Sequence, residues 1–245
     1  MLSLREEFLK IGFDLTDQQE EQFKTYFTML VETNKVMNLT AITEWDDVVM
    51  QHFCDSALPC KSVKALQKAL ESNDASHPVR LLDVGTGAGF PGIPLKILYP
   101  DVEMVLLDSL QKRVKFLNNV IDACHLEKIS AVHARAEDGA RDANLREGFD
   151  LVVSRAVADL PILAEWCLPF VKVGGSFTAY KSRNIEDEES RSIKAIKTLG
   201  GAKPFVDFVP LPDTEITRSF VTIRKTKPTP KAYPRKPGMA KKNPL

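Results

Sequence analysis

Residues 79–92 constrain the fold more than any other part of the chain, because they read VRLLDVGTGAGFPG. A short apolar run ends at Asp83, a charge at the end of an otherwise buried segment. Four glycines follow within eight residues: Gly85, Gly87, Gly89 and Gly92. Glycine accepts a positive φ and lets another molecule approach the backbone closely. The segment therefore predicts a buried strand, a tight turn shaped around a ligand, and the start of a helix.

These glycines fit two ligand-binding patterns. From Gly85 they read G-x-G-x-G, and from Gly87 they read GAGFPG, which satisfies the dinucleotide pattern G-x-G-x-x-G. In both cases a second apolar run, MVLLD, ends roughly 20 residues later at Asp108, where a carboxylate can accept hydrogen bonds from ribose hydroxyls. The pattern predicts an adenosine-containing cofactor and leaves its identity open.

Strand-like and helical patterns alternate from Val79 onward. The predicted strands are RLLDV, EMVLLD, ISAVHA, FDLVVS, GSFTAY, FVDFVPL and SFVTIRK, and the predicted helices lie near residues 92–99, 111–125, 159–170 and 184–199. This alternation predicts an α/β fold with a mainly parallel sheet covered by helices on both faces. The short PDTEITR connection cannot hold a crossover helix, so the last two strands are expected to form an antiparallel hairpin.

That terminal hairpin separates two classes of α/β enzyme. A parallel sheet that ends in an antiparallel pair is typical of the Rossmann-like fold of S-adenosylmethionine-dependent methyltransferases, and it is not expected in a dinucleotide dehydrogenase. We therefore predict a seven-stranded sheet of the methyltransferase kind, in which Gly92 belongs to the following helix and G-x-G-x-G is the functional register. The predicted domains are a helical N-terminal extension and linker (1–78), a cofactor-binding core (79–225) and a basic, proline-containing tail (226–245).

The candidate site residues follow from where ligands bind in such folds, which is beyond the carboxyl ends of the strands. They are Asp83 to Phe90, Asp108 and Ser109, residues 134–138, and residues 154–156. Glu137 follows the third strand and could meet an adenine edge, with a helix-start acid as the alternative. Arg155 follows the fourth strand, beside the expected reacting end of a cofactor, with a structural ion pair as the alternative.

Charge is distributed unevenly along the 245 residues, although the net charge is zero. From Arg224 to the C-terminus there are eight Lys or Arg residues and no Asp or Glu, whereas the remaining 223 residues carry a net charge of −8. A basic tail on an acidic body predicts a polyanionic partner, and the lack of apolar anchors favours nucleic acid over membrane. A solvated terminus without a partner is the alternative.

The cellular compartment is predicted from the lack of a membrane span and of a signal peptide in the sequence. No apolar run approaches the roughly 18 residues that a membrane span needs, and the acidic start MLSLREEF is unlike a signal peptide. The four cysteines show no metal-ligand spacing such as C-x-x-C. We expect a cytoplasmic protein without a metal.

Several motifs together resemble the bacterial glucose-inhibited division protein B family, whose members methylate guanine N7 in 16S ribosomal RNA of the small subunit. They are LLDVGTGAGFPGIPL, HARAED, FDLVVSRAVADL and the terminal YPRKPGMAKKNPL, with MNLTAI and HFCDSAL nearer the N-terminus. The resemblance covers nearly the whole chain. The chain departs from the family pattern at Ser182, where glycine is frequent, and at Ala240, where proline is frequent.

The resemblance implies S-adenosylmethionine as the cofactor. It implies that the loop from Gly85 to Phe90 wraps the methionine and ribose, that Asp108 holds the ribose hydroxyls, and that Ala136 and Glu137 border the adenine. The full set of expected cofactor contacts is Asp83, Gly85, Gly87, Gly89, Phe90, Asp108, Ser109, Ala136, Glu137 and Arg155.

Methylation of guanine N7 requires few catalytic groups from the protein. This nitrogen carries an in-plane lone pair and no proton, so we expect no general base, and the chain contains no Asn/Asp-Pro-Pro-aromatic motif of the kind used on exocyclic amines. Arg155 is expected to orient the guanine through O6 or a nearby phosphate. His52 and Asp55, at i and i+3, are expected to contact each other, and a structural role is favoured over RNA positioning.

The expected partner is 16S ribosomal RNA or a small-subunit particle. The predicted RNA contacts are Lys181, Lys225, Lys227, Lys231, Tyr233, Arg235, Lys236, Lys241 and Lys242, with Tyr233 stacking on a base. Five prolines in the tail favour an extended clamp, so removing the tail should weaken RNA binding and spare cofactor binding. Two alternatives remain open, a nicotinamide-dependent oxidoreductase and a non-catalytic RNA-binding assembly factor.

Overall fold

The computed structural model describes residues 2–74, 76–155, 157–182 and 185–245. The N-terminal elements are α1 (Leu4–Lys10), α2 (Asp17–Met37), α3 (Trp45–Val48), a π-helical turn (Val49–Cys54), α4 (Asp55–Ala57), α5 (Pro59–Ser62) and α6 (Lys64–Glu71). The remaining elements are β1 (Arg80–Val84), α7 (Gly92–Leu98), β2 (Glu103–Asp108), α8 (Gln111–Ala123), β3 (Ile129–His133), α9 (Ala136–Gly139), β4 (Phe149–Arg155), α10 (Leu160–Cys167), a 3₁₀ turn (Leu168–Phe170), β5 (Val171–Ser182), α11 (Glu186–Thr198), β6 (Phe205–Pro210), β7 (Thr217–Arg224) and α12 (Met239–Lys242).

The strands form one sheet in the order β3-β2-β1-β4-β5-β7-β6. β1 pairs in parallel with β2 and β4, and β4 pairs in parallel with β5. β7 is antiparallel to both β5 and β6. The predicted mainly parallel sheet with a terminal antiparallel hairpin is confirmed. The strand order reverses between β1 and β4, which is where ligands bind in open α/β sheets.

Helices cover both faces of the sheet, and β1 shows why. Its consecutive residues Leu81 and Leu82 are both fully buried, but they belong to different apolar clusters because side chains alternate between faces along a strand. Leu81 packs in the cluster that includes Phe23 of α2, and Leu82 in the cluster that includes Leu163 of α10. A strand buried on both sides reads as a continuous apolar run, as RLLDV does.

The N-terminal helices form one of these two layers. α2 begins with a capping box, in which the Gln19 N–H donates to Thr16 Oγ1 at 3.2 Å and the Thr16 N–H donates to Gln19 Oε1 at 3.0 Å. Phe23 and Tyr26 are fully buried, as their helical spacing predicts. The Tyr26 hydroxyl donates to the Ala88 carbonyl at 2.7 Å. The N-terminal layer therefore supports the glycine-rich turn directly.

Candidate active site

The glycine loop, residues 85–91, connects the end of β1 to the start of α7. At Gly85 φ is +73°, and a Cβ there would come within 2.9 Å of a methyl group of Val157. At Gly87 φ is +62°, and the nearest atom to an added Cβ is 4.0 Å away. One side of the loop is therefore packed and the other is open. Gly92 begins α7, which favours the G-x-G-x-G register.

Asp83 lies beneath this loop with its side chain fully buried. One carboxylate oxygen accepts a hydrogen bond from the Gly92 N–H at 2.9 Å. The other, Oδ1, has no hydrogen-bond partner of good geometry among the described residues, and neither has the nearby Thr86 hydroxyl. Burial raises the pKa of Asp83 to about 6, against the opposing effects of Thr86 and the Gly92 N–H. The loop thus covers an under-satisfied carboxylate, a group that a cation would stabilise.

Asp108, at the end of β2, fixes the other side of the loop. Its Oδ2 accepts from the Gly87 N–H at 2.9 Å and its Oδ1 accepts from the Leu110 N–H at 2.9 Å. Arg113 lies at 3.5 Å from Oδ2. Asp108 is 3% exposed and is not among the residues that line either of the two cavities nearby, so its ribose contact stays a prediction.

One cavity borders the glycine loop, and a second lies beside His52 and Arg155, whose side chains contact Phe90 of the loop. The first has a volume of about 360 Å³ and is lined by the predicted residues Gly85, Ser109, Ala136 and Glu137, together with Trp166 and Lys241. The second has a volume of about 420 Å³ and is lined mainly by His52, Asp55, Arg155, Tyr180, Lys181 and Arg218. Both volumes fall within the range of small-molecule sites, which is roughly 300–1,000 Å³. Four of the ten predicted cofactor contacts thus line one cavity, and Arg155 borders the other.

Arg155 is held in place by a buried carboxylate. Its Nη1 donates to Asp55 Oδ2 at 2.8 Å, and Arg218 Nε of β7 donates to Asp55 Oδ1 at 2.5 Å. The Arg155 guanidinium also lies 5.0 Å from the centroid of the Phe90 ring in the glycine loop. Arg155 therefore makes the structural ion pair and also borders a cavity, whereas its place beside the reacting end of a cofactor stays a prediction. Two arginines around one carboxylate leave this cluster with a net positive charge.

His52 contributes a flat, uncharged surface beside Arg155. Its ring stacks on Phe90 with centroids 4.4 Å apart, its Nε2 lies 2.8 Å from the Thr40 hydroxyl, and its Nδ1 lies 3.2 Å from Arg155. Burial, together with the Arg155 charge, lowers the pKa of His52 to about 4, so the imidazole is neutral at pH 7. The structure records no direct hydrogen bond between His52 and Asp55 in its described part. Instead, each contacts Arg155.

Sequence reasoning missed Arg218 and Tyr180 as members of this cluster. Arg218 lies early in β7, 163 residues after the Asp55 that it contacts. The Tyr180 hydroxyl donates to the Ser56 carbonyl at 2.9 Å and lines the same cavity. No local motif marks either residue, so only the antiparallel pairing of β5 and β7 could have placed them together. Ala156, also among the candidates, lies outside the described residues.

Comparison with protein families identifies the chain. Residues 19–217 match the model of the GidB family, described as rRNA small subunit methyltransferase G. The chain belongs to this family. A ribosomal RNA small subunit methyltransferase G from Lachnoclostridium phytofermentans is 49% identical over 96% of this chain and 93% of its own length. One from Acetivibrio thermocellus is 47% identical over 96% of this chain and 92% of its own length.

Solved structures place this GidB-family chain in the methyltransferase fold. A predicted O-methyltransferase from Agrobacterium tumefaciens aligns with a TM-score of 0.50 at 20% identity, covering 65% of this chain and 80% of that one. A SAM-dependent O-methyltransferase from Thermotoga maritima aligns with a TM-score of 0.50 at 16% identity, covering 82% and 73%. At these identities the likeness concerns the fold. Neither the oxidoreductase nor the assembly-factor alternative is favoured by the family.

The tail of this GidB-family chain does not form an extended clamp. It folds back along the core, beginning at Lys225, for which the predicted RNA contact is wrong. The Lys225 side chain is fully buried, and its ammonium donates to the Leu168 carbonyl at 2.7 Å and to Thr229 Oγ1 at 2.7 Å. It also lies 3.2 Å from the Glu147 carboxylate. These acceptors satisfy the ammonium inside the protein, so it cannot meet a phosphate.

Further along the tail, Arg235 is also bound to the core. Its N–H and Nε donate to Glu165 Oε1 at 2.8 and 2.9 Å, and its Nη2 donates to Glu165 Oε2 at 2.6 Å. The Tyr233 carbonyl accepts from Arg146 at 2.9 Å. The side chains of Lys227, Lys231, Lys236, Lys241 and Lys242 are exposed. Their RNA contacts stay predictions, as do those of Tyr233, Arg235 and Lys181, whose ammonium pairs with Glu188 at 2.5 Å.

Other features of the described residues bear on the remaining expectations. Within these ranges no helix is long and apolar enough to cross a membrane, and no group of three or more His, Cys, Asp or Glu side chains could hold a metal. All four cysteines are buried and unpaired. Cys60, which follows Pro59, could suggest a Pro-Cys nucleophile. Burial raises the pKa of its thiol well above the ordinary value, and it is not among the lining residues of either cavity.

Proposed function

We propose that this protein transfers the methyl group of S-adenosylmethionine to N7 of a guanine in 16S ribosomal RNA of the small ribosomal subunit. One observation carries the proposal. A cavity lined by Gly85 and three other predicted cofactor contacts borders the glycine loop. The Arg155 guanidinium, which lines a second, positively charged cavity, lies 5.0 Å from the centroid of the Phe90 ring of that loop. The names of the relatives supply the ribosomal RNA substrate.

The first cavity suits S-adenosylmethionine on chemical grounds. Gly85, Ser109, Ala136 and Glu137 line it, and the open side of Gly87 lets a ligand approach the backbone. The buried Asp83 carboxylate, whose Oδ1 has no hydrogen-bond partner of good geometry among the described residues, complements a cationic ligand electrostatically. When bound, S-adenosylmethionine supplies a sulfonium methyl group, which forms a bond to guanine N7 as its bond to sulfur breaks and the electron pair stays on sulfur.

The protein's task is then to position the base. Guanine N7 has no proton to remove, so the second cavity needs donors and a surface for stacking. Arg155 offers donors for guanine O6 or a phosphate, and Asp55 restrains it so that little side-chain freedom is lost on binding. Neutral His52 stacks on Phe90 and adds no further positive charge to those of Arg155 and Arg218 near the base, which becomes cationic as it is methylated. Alignment of this kind can contribute about 7–11 kcal/mol to catalysis.

The RNA outside the reacting base would meet the exposed lysines of the tail and Lys181 at the second cavity. Exposed lysines neutralise phosphates without reading sequence. A cytoplasmic location follows from a ribosomal substrate. We propose either 16S ribosomal RNA or a small-subunit particle as the molecule bound.

The test of this proposal is methyl transfer by variants of Arg155. Arg155 lines the second cavity and not the first, so, unlike a cofactor contact, Arg155→Ala should bind S-adenosylmethionine within about twofold of the wild-type affinity. It should lose roughly 100-fold in kcat/KM, the scale expected for a misplaced substrate. Arg191→Ala is the matched control, because it removes an exposed arginine from α11, where the guanidinium lies 3.5 Å from Asp159. Normal turnover by Arg155→Ala would show that Arg155 does not orient the guanine. RNA binding without methylation by the wild-type chain would instead indicate an assembly factor.

A further inference from the structure

The end of the chain lies at the first cavity, not at a distance from it. The Gly238 N–H donates to Glu137 Oε1 at 3.1 Å. Gly238 and Lys241 line the cavity together with Ser109 and Ala136. Ala240, between them, is buried. Residues from the last turn of the chain therefore form one side of the space that the proposed function gives to the cofactor.

The position of this segment is fixed by the core. Arg235 is bound to Glu165 through its backbone N–H and its guanidinium, and Glu165 is 1% exposed. Arg141 Nη2 donates to the Pro234 carbonyl at 2.5 Å. A carboxylate that is buried and paired bidentately holds its partner more firmly than a surface ion pair does. The segment after Pro234 is thus positioned before any ligand arrives.

Lys241 is the residue of this segment best placed to cover a ligand. Its ammonium lies 5.3 Å from the centroid of the Trp166 ring, and Trp166 itself borders the cavity. A lysine can lay its aliphatic stem across an apolar surface while its ammonium stays in water. The neighbouring Lys242 is also exposed but does not line the cavity.

We propose that residues 238–241 are a wall of the S-adenosylmethionine site, in which Gly238 orients the Glu137 carboxylate and Lys241 covers the adenosine end of the ligand. This rests on the proposed function for the identity of the ligand. It reverses the expectation that the tail binds only RNA. The tail would then contribute to two binding sites: residues 238–241 border the cofactor, and its exposed lysines contact RNA.

The experiment is calorimetric titration of the full chain with S-adenosylmethionine and with S-adenosylhomocysteine, without RNA. Lys241→Ala should weaken binding by roughly three- to tenfold, the effect of exposing one face of a bound ligand. Lys242→Ala is the matched control, since it removes the same charge one residue away, and it should bind the cofactor within about twofold of wild type. Lys241→Met keeps the stem, so it should retain most of the affinity.

A second measurement uses Trp166 as a reporter. The chain has two tryptophans, so Trp45→Phe leaves Trp166 as the fluorophore beside the cavity. Saturable change of its emission by S-adenosylmethionine is expected, and Lys241→Ala should shift the midpoint as in calorimetry. Unchanged affinity of Lys241→Ala by both methods would overturn the inference while leaving the proposed function intact. Failure of the wild-type chain to bind either ligand would overturn the proposed function itself.

Discussion

Asp83→Asn is expected to stabilise the ligand-free protein while impairing its function. The substitution removes a buried negative charge and keeps the shape of the side chain. The Asn oxygen can still accept from the Gly92 N–H, which now donates to Asp83 Oδ2 at 2.9 Å. The Asn amide can donate to the Thr86 hydroxyl oxygen, which is buried and has no hydrogen-bond partner in the described part of the chain. The new side chain therefore leaves no additional polar group unsatisfied.

The magnitude follows from the pKa of Asp83. Burial raises this pKa from the ordinary value of 3.8 to about 6, so between these pH values the folded state binds more protons than the unfolded state. The wild-type free energy of unfolding therefore falls as the pH rises through this window, by roughly 3 kcal/mol in total. Asp83→Asn has no carboxylate to ionise at this position, so its free energy of unfolding does not fall for this reason. Its stability relative to wild type should thus rise from pH 4 to pH 7 and then level off.

Urea denaturation of both proteins at a series of pH values measures this difference directly. Charge effects elsewhere in the protein are common to both chains and cancel in the comparison. At pH 8 the variant should be more stable by about 1–3 kcal/mol, which corresponds to a rise of at least about 2 °C in Tm. The same variant should bind S-adenosylmethionine more weakly, because the negative charge beneath the loop is gone. A variant that is less stable than wild type at pH 8, or a difference independent of pH, would show that burial of the Asp83 carboxylate does not destabilise the folded protein.

Three further predictions concern single residues. Lys225→Ala should lower the free energy of unfolding by about 3–5 kcal/mol, because it removes a buried cation and leaves its acceptors unpaired. Urea denaturation measures this change, and a decrease below about 1 kcal/mol would contradict the prediction. Glu165→Gln should loosen Arg235 and increase tryptic cleavage after Arg235, whereas unchanged cleavage would mean that the ion pair does not hold the tail. The His52 imidazole should titrate near pH 4 by NMR, and a midpoint near 6.5 would show that it is not desolvated.

The fold could be predicted because its signals are local. The alternation of apolar runs with amphipathic stretches gives the strand and helix order, and the short PDTEITR connection requires an antiparallel hairpin. β1 and β2 have the predicted limits, Arg80–Val84 and Glu103–Asp108. β5 begins at Val171, four residues before the predicted strand GSFTAY, which starts at Gly175. The predicted start of the last helix at residue 184 lies outside the described residues, and the domain limits stay predictions.

The candidate site could be predicted only in part. The rule that ligands bind beyond the carboxyl ends of parallel strands selects Asp83, Asp108, Glu137 and Arg155 without further information. It cannot select Arg218, because that residue lies near the N-terminal end of an antiparallel strand. Arg218 contacts Asp55 only after the sheet has formed. Long-range pairs of this kind depend on register, which one sequence does not reveal.

The tail shows a second limit. Composition counts Lys225 with the exposed basic residues of the tail. In the structure its ammonium donates to the carbonyl groups of Leu168 and Val171, more than 50 residues earlier in the chain. Charge predicted a polyanion partner for the whole tail. The structure divides the tail into buried anchors, a segment at the first cavity, and exposed lysines.

The most direct test of the central claim is the chemical identity of the methylated product. Small ribosomal subunits or 16S ribosomal RNA lacking the modification would be incubated with the protein and S-adenosylmethionine labelled in the methyl group, then digested to nucleosides and analysed by mass spectrometry. Label is expected in N7-methylguanosine, at no more than one methyl group per RNA molecule, and is expected to be lost with Arg155→Ala. Label in another nucleoside, or no transfer by a chain that binds both ligands, would contradict it.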